Sequence, residues 1–121
     1  MFYFYFLFNY YYYNSNYYFE NAKSLNEKDR AEIIVSSEIS IFKINNDYIG
    51  GRNLKKLYLP PDNYTFELTI NKKENQTKYF SIGGLKFGPI NIEGGKKYKM
   101  ESNYKTSSRN LEYYIKELEH E

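Results

Sequence analysis

Cysteine and tryptophan are absent from this 121-residue chain, and histidine occurs once. Without thiols there are no disulfides, no thiolate zinc sites and no cysteine nucleophile, and the redox compartment stays open. His120 stands one residue from the end with no second imidazole to share a metal, so it reads as a surface residue, not a ligand. The Gly-Gly pairs are not followed by the Gly-Lys-Ser/Thr of a phosphate loop, and Gly94-Gly95-Lys96 leads into strand-like sequence, not a helix start. A carboxylate pair for acid–base work needs two acids converging in a pocket, whereas Glu67, Glu93 and Glu101 each fall on the polar phase of an expected strand. These absences argue against an enzyme, and no cofactor, metal or small-molecule substrate is expected.

Charge is nearly balanced at +2, but unevenly spread. Residues 51–110 carry twelve Lys/Arg against five Asp/Glu, while 111–121 carry four Glu against one Lys. A basic sheet with an acidic tail is first of all a solvated surface. A second reading keeps Lys72, Lys73, Lys78, Lys86, Lys97 and Lys99 as a candidate anion-binding surface, with Tyr58, Tyr79 and Tyr104 near them in sequence for base stacking. Asn63-Tyr64-Thr65 and Asn75-Gln76-Thr77 match the glycosylation sequon, which an Asn-rich chain produces by chance.

What is abundant is aromatic and alternating. Thirteen of the first twenty residues are Phe or Tyr, with Glu20 the only charge among them. Phe2 to Phe8 is a short apolar run without a preceding Lys or Arg, and the tyrosines after it are too polar for a membrane span. Three readings of this segment stand open: a degenerate signal or anchor, a sticky tail, or a non-native start. Residues 1–30 are accordingly set apart as an aromatic segment plus a polar linker (Asn21 to Arg30), and 31–121 as the domain.

Within the domain the organising stretch is Leu57 to Ile70. Tyr64, Phe66, Leu68 and Ile70 share one phase and Thr65, Glu67 and Thr69 the other, the pattern of a half-buried strand. The turn motif Pro60, Pro61, Asp62 and Asn63 precedes it; Pro60 makes Leu59 extended and Pro61 presets the next backbone angle. Strands are also expected over Ala31 to Val35 and Ile39 to Ile44, with Asn45-Asn46-Asp47 as hairpin-turn chemistry. Residues 71–77 read as a loop, Tyr79 to Ile82 as a strand, and Leu85 to Ile92 as further alternation in which Pro89 marks an edge or bulge. Tyr98 and Met100 face inward opposite Lys97 and Lys99, and the glycines at 50, 51, 83, 84, 88, 94 and 95 fall where turns are expected.

The expected fold is an all-β, antiparallel β-sandwich of about seven short strands. Its core is Ile33, Val35, Ile41, Leu57, Leu59, Tyr64, Phe66, Leu68, Ile70, Phe80, Ile82, Leu85, Phe87, Ile90, Ile92, Tyr98 and Met100. The end is ambiguous: Leu111, Tyr114, Ile115 and Leu118 fit one helical face capped by Ser107 or Ser108, while Leu111, Tyr113 and Ile115 fit a strand. The Glu/Lys/Leu composition favours a short C-terminal helix.

The order Ile-x-Ile, turn, Leu-Pro-Pro-x-x-Tyr-x-x-x-Leu, apolar alternation, Gly-Lys-x-Tyr resembles small β-sandwich domains of the bacterial cell envelope, of which the PEGA-like domains and small envelope lipoproteins are the best-known group. The matching positions are Ile41 to Asp47, Leu59 to Leu68 and Gly95 to Met100. Where that group has glycine in the first hairpin and after the proline pair, this chain has Asn46 and Asp62, and it has no lipid-attachment cysteine. The resemblance implies a non-catalytic structural or interaction module of the cell envelope, partnered by a protein or envelope component. Membrane association would then rest on the N-terminal segment alone; if that segment is no signal, the setting is cytoplasmic. The alternative is a basic, barrel-like domain binding an anionic polymer such as single-stranded nucleic acid, which the core phase of many aromatics disfavours as a partner.

Overall fold

Side chains that alternate along an extended chain can be covered on one face only by a second layer, and that requirement sets the architecture here. The computed structural model describes residues 15–73, 79–105 and 110–119, with Lys73, Tyr79, Tyr104 and Lys105 described through their backbone alone. The aromatic run before Ser15, Lys78, the Asn75 sequon, Ser107, Ser108 and His120 lie outside the described residues.

Nine strands are present among them: β1 (Asn16–Tyr18), β2 (Ala31–Val35), β3 (Ile39–Ile44), β4 (Asp47–Arg52), β5 (Lys56–Leu59), β6 (Asp62–Lys73), β7 (Tyr79–Ile92), β8 (Lys97–Lys105) and β9 (Asn110–Leu118). They form a five-stranded sheet in the order β1-β5-β2-β8-β9 and a four-stranded sheet in the order β4-β3-β6-β7. The four-stranded sheet is antiparallel throughout, whereas β1 with β5 and β2 with β8 are parallel pairs. The expected all-β sandwich is therefore observed, with more strands than the expected seven.

The core lies between the sheets. Ile33, Val35, Leu57, Leu59, Tyr98 and Met100 come from one layer, and Ile39, Ile41, Ile44, Tyr64, Phe66, Leu68, Ile70 and Ile92 from the other, all buried. Phe80, Ile82, Leu85, Phe87 and Ile90, expected in the core, are only half-buried, because β7 is the last strand of its sheet. Phe19, Ala22, Ile49 and Leu54 are buried too, although the alternation rule did not single them out.

Four expectations about where strands begin and end are corrected. The C-terminal segment is strand β9, not a helix. Leu111, Tyr113 and Ile115 turn toward the core and Tyr114 away from it, the alternation that pairing with β8 demands. The sheet also reaches before residue 31: β1 pairs with β5, and Phe19 closes that pair with a backbone bond to Tyr58 O at 3.0 Å. Residues 71–73, read as loop, continue β6, paired through Lys73↔Tyr79. Finally, Asp62 and Asn63 are not turn residues but open β6, paired with Ile92 and Asn91.

Pro60 and Pro61 thus mark a corner where the chain leaves the five-stranded sheet and enters the four-stranded one. The Tyr64 hydroxyl donates to Pro60 O at 2.5 Å across it, a tyrosine-corner arrangement. Burial, then the nearby Asp62 and Glu20 carboxylates, hold that phenol well above the usual tyrosine range. The Asn45-Asn46 hairpin is as expected, with φ of 49° and 71°, and Asn45 Oδ1 accepts from Thr65 N at 2.9 Å to fix it against β6.

The glycines of β7 do not turn the chain; they sit where its register with β6 slips, between Tyr64/Phe66 and between Leu68/Ile70. Extra residues there form bulges, which positive φ at Gly84 (68°) and Gly88 (122°) permits. A Cβ on Gly88 would lie 2.4 Å from Tyr64 O, whereas one on Gly84 would meet nothing within 4 Å. Gly88→Ala is expected to destabilise the protein by about 2 kcal/mol or more through that clash, and Gly84→Ala by about 1 kcal/mol through its backbone angle alone. Urea midpoints of the two variants check the order.

Candidate functional site

The outer face of the five-stranded sheet carries a stacked tyrosine pair and four ion pairs among the described residues. Register decides which side chains meet there: Tyr18 lies opposite Tyr58, Tyr58 opposite Glu32, and Glu32 opposite Lys97. The Tyr18 and Tyr58 rings stack at 4.6 Å with an interplanar angle of 11°. Arg30, just before β2, lays its guanidinium over both rings, 5.3 Å and 4.8 Å from their centroids. Its Nη1 donates to Ala22 O at 3.3 Å and Leu25 O at 3.2 Å, so the same side chain ties the 19–30 segment to the sheet.

Glu32 anchors the other side of the stack. It accepts from the Tyr58 hydroxyl at 3.1 Å and lies 3.5 Å from Lys56 Nζ and 3.8 Å from Lys97 Nζ. Burial, the hydrogen bond to Glu32 and its negative charge push the Tyr58 phenol up to about 12. Beside these groups is a cleft of ≈ 100 Å³ bounded by Glu27, Arg30, Glu32, Tyr58 and Lys96. Pockets for drug-sized ligands run to about 300 Å³ and more, so this one suits a side chain or small group of a larger partner.

Farther along the same face, Glu101 accepts from Tyr114 at 2.7 Å and pairs with Lys99 at 2.8 Å and Lys116 at 3.8 Å. Lys99 and Tyr114, the main donors, hold its carboxyl below the usual carboxylate range, and the Tyr114 phenol is raised in turn. Lys96 bridges Glu93 and Glu117, and those two hydrogen bonds raise its ammonium above the usual lysine range.

Among the described lysines proposed as one anion surface, the structure brings together Lys97 and Lys99, both on β8 and both ion-paired. Lys72 follows the inward phase of β6 and is tied to Glu38 at one end of the sandwich, where the Ser102 hydroxyl also donates to Glu38 at 3.2 Å. Lys86 lies on the exposed side of β7 opposite Glu67, and the side chains of Lys73 and Lys78 are outside the described set. The four described ones are therefore not a single patch: alternation sends Lys72 on β6 and Lys86 on β7 to different places from the β8 lysines. The turn motif lies apart from this face, at the corner already described.

Sequence reasoning missed Tyr18, Arg30 and Glu32. Tyr18 and Tyr58 meet only through the long-range register of β1 on β5, for which no local spacing signal exists. Among the described residues, no three His, Cys, Asp or Glu side chains are gathered for a metal, and no helix is long and apolar enough to cross a membrane. No family model matches the chain, and no curated protein or solved structure matches it either.

The Tyr58–Glu32 bond makes a titration prediction. A phenol held protonated in the folded state stabilises fully below the ordinary tyrosine value near 10, and that contribution is lost as pH climbs from 10 toward 12. The ultraviolet phenolate titration of the wild type minus that of Tyr58→Phe is expected to show one group titrating near pH 12, and Tyr58→Phe to lose less stability over that window.

Proposed function

We propose that the protein is a non-catalytic interaction module of the bacterial cell envelope, binding a protein or polymer component through the outer face of its five-stranded sheet. The observation that carries this reading is the Tyr18–Tyr58–Arg30 stack, half-exposed on the outer side of the sheet. Tyrosine and arginine are among the residues that most often dominate binding energy at interfaces, and tyrosine adds contact area at low entropic cost. The carbonyls and the Glu32 carboxylate that hold them leave little to order on binding.

The envelope setting draws its support from the resemblance of the Leu59–Leu68 corner and strand, and of Gly95 to Met100, to PEGA-like domains. An anionic-polymer partner is the weaker reading, since the lysines of this face are matched by Glu32 and Glu101.

Co-sedimentation of the full chain with isolated bacterial envelopes tests the proposal. The wild type is expected to sediment with them, and Tyr18→Ala combined with Arg30→Gln to bind at least tenfold more weakly, about 1.4 kcal/mol, while its circular dichroism stays that of a folded β protein. Equal binding by the variant, or no binding by the wild type, refutes it. Salt-sensitive binding to single-stranded DNA in place of envelopes would establish the alternative.

A further inference from the structure

Among the described residues, the flank formed by the last strands of both sheets carries no further strand. β9 pairs with β8 from Lys97↔Leu118 to Lys105↔Asn110, and among the described residues no strand takes its other edge. β7, the last strand of the second sheet, lies on the same flank: Phe87 and Tyr113 rings are 5.8 Å apart, and the Tyr113 hydroxyl donates to Lys86 O at 3.3 Å. Leu85, Phe87, Ile90, Leu111, Tyr113 and Ile115 pack on the core here yet remain only half-buried. Tyr114 is 38 % exposed on the outer side of the same strand. Open strand edges beside uncovered apolar surface invite another strand.

β9 has the charge pattern to pair with itself. We propose that β9 of one copy pairs antiparallel with β9 of a second copy about a two-fold axis at Tyr114, joining two five-stranded sheets into one. In that register Glu112 of each copy faces Lys116 of the other, Tyr113 faces Ile115, and Tyr114 faces its own counterpart. Outward side chains thus meet outward ones and inward side chains inward ones, as an isologous contact requires. Moving the register by two residues either way sets Glu112 opposite Tyr114 or Leu118 and forfeits both ion pairs. The contact lies at the far end of the sheet from the Tyr18–Tyr58 stack and leaves that face open.

Light scattering of the full chain across the micromolar to millimolar range is expected to give twice the 14.6 kDa chain mass. Lys116→Glu places like charges at both contacts and should raise the dissociation constant roughly tenfold or more; Glu112→Lys with Lys116→Glu should restore it. A second test does not depend on those charges. In a chain without cysteine, Tyr114→Cys puts two thiols across the axis at a distance a disulfide can span, and it should cross-link on oxidation far faster than Tyr48→Cys at the 70 % exposed Tyr48. A wild type monomeric at millimolar concentration, a Lys116→Glu variant as dimeric as wild type, a folded double variant that stays monomeric, or cross-linking no faster at 114 than at 48 would each overturn the proposal.

Discussion

Everything in this fold depends on the chain changing sheets between β5 and β6. Two consecutive prolines remove two ladder donors there, so β5 ends and the chain bends. The Tyr64 hydroxyl, donated to Pro60 O, closes the bend from inside, and the ring packs near Phe19 and Phe66 at centroid distances of 6.1 Å. Once that corner is set, the phase of β6 is set with it. Phe66, Leu68 and Ile70 must face the first sheet, and β3 and β7 pair on either side of a strand whose inward face is already chosen.

The candidate site is the reverse of the same constraint. Inward residues of β2, β5 and β8 are the apolar Ile33, Leu57 and Tyr98, so Glu32, Lys56, Tyr58 and Lys97 must point outward. The parallel pairing of β2 with β8, and of β1 with β5, brings residues far apart in the chain to one face in fixed register. A binding surface built this way is held by backbone ladders, whereas one made of loops would have to be ordered on contact.

Much of this was legible from the chain. Alternation over Tyr64 to Ile70 gave the inward phase of β6, Asn45-Asn46 the hairpin, and Pro89 an irregularity at an edge strand. Three features were not legible, for physical reasons. Asn110 to Leu118 satisfies both helical and strand periods, and only the presence of β8 as a partner decides between them. Gly84 and Gly88 take positive backbone angles, but such angles serve a bulge as well as a turn, so one long strand reads locally as several short ones. Residues up to Glu20 stand apart from the domain by their aromatic content and Asn21 to Arg30 by a linker's polarity; yet Phe19 and Ala22 are buried, and Arg30 clamps the segment by its carbonyls. Composition reports the average surface of a segment, not the one or two side chains that bury.

The uneven charge distribution along the chain finds its explanation in topology. Read linearly, a basic middle and an acidic end are first of all a solvated surface, with a polyanion-binding patch as the second reading. Folded, β9 lies beside β8, and Glu117 meets Lys96 while Glu101 meets both Lys99 and Lys116. Glu32, from the net-acidic first part of the chain, meets Lys56 and Lys97. Exposed pairs of this kind add little stability, ~0–1 kcal/mol each, but they cancel the long-range field that would draw a polyanion. Arg30 is different: two carbonyls and two tyrosine rings hold it, and neither neutralises its charge. The balanced lysines therefore shape the face, while the Arg30 cation on its aromatic platform is its most distinctive feature.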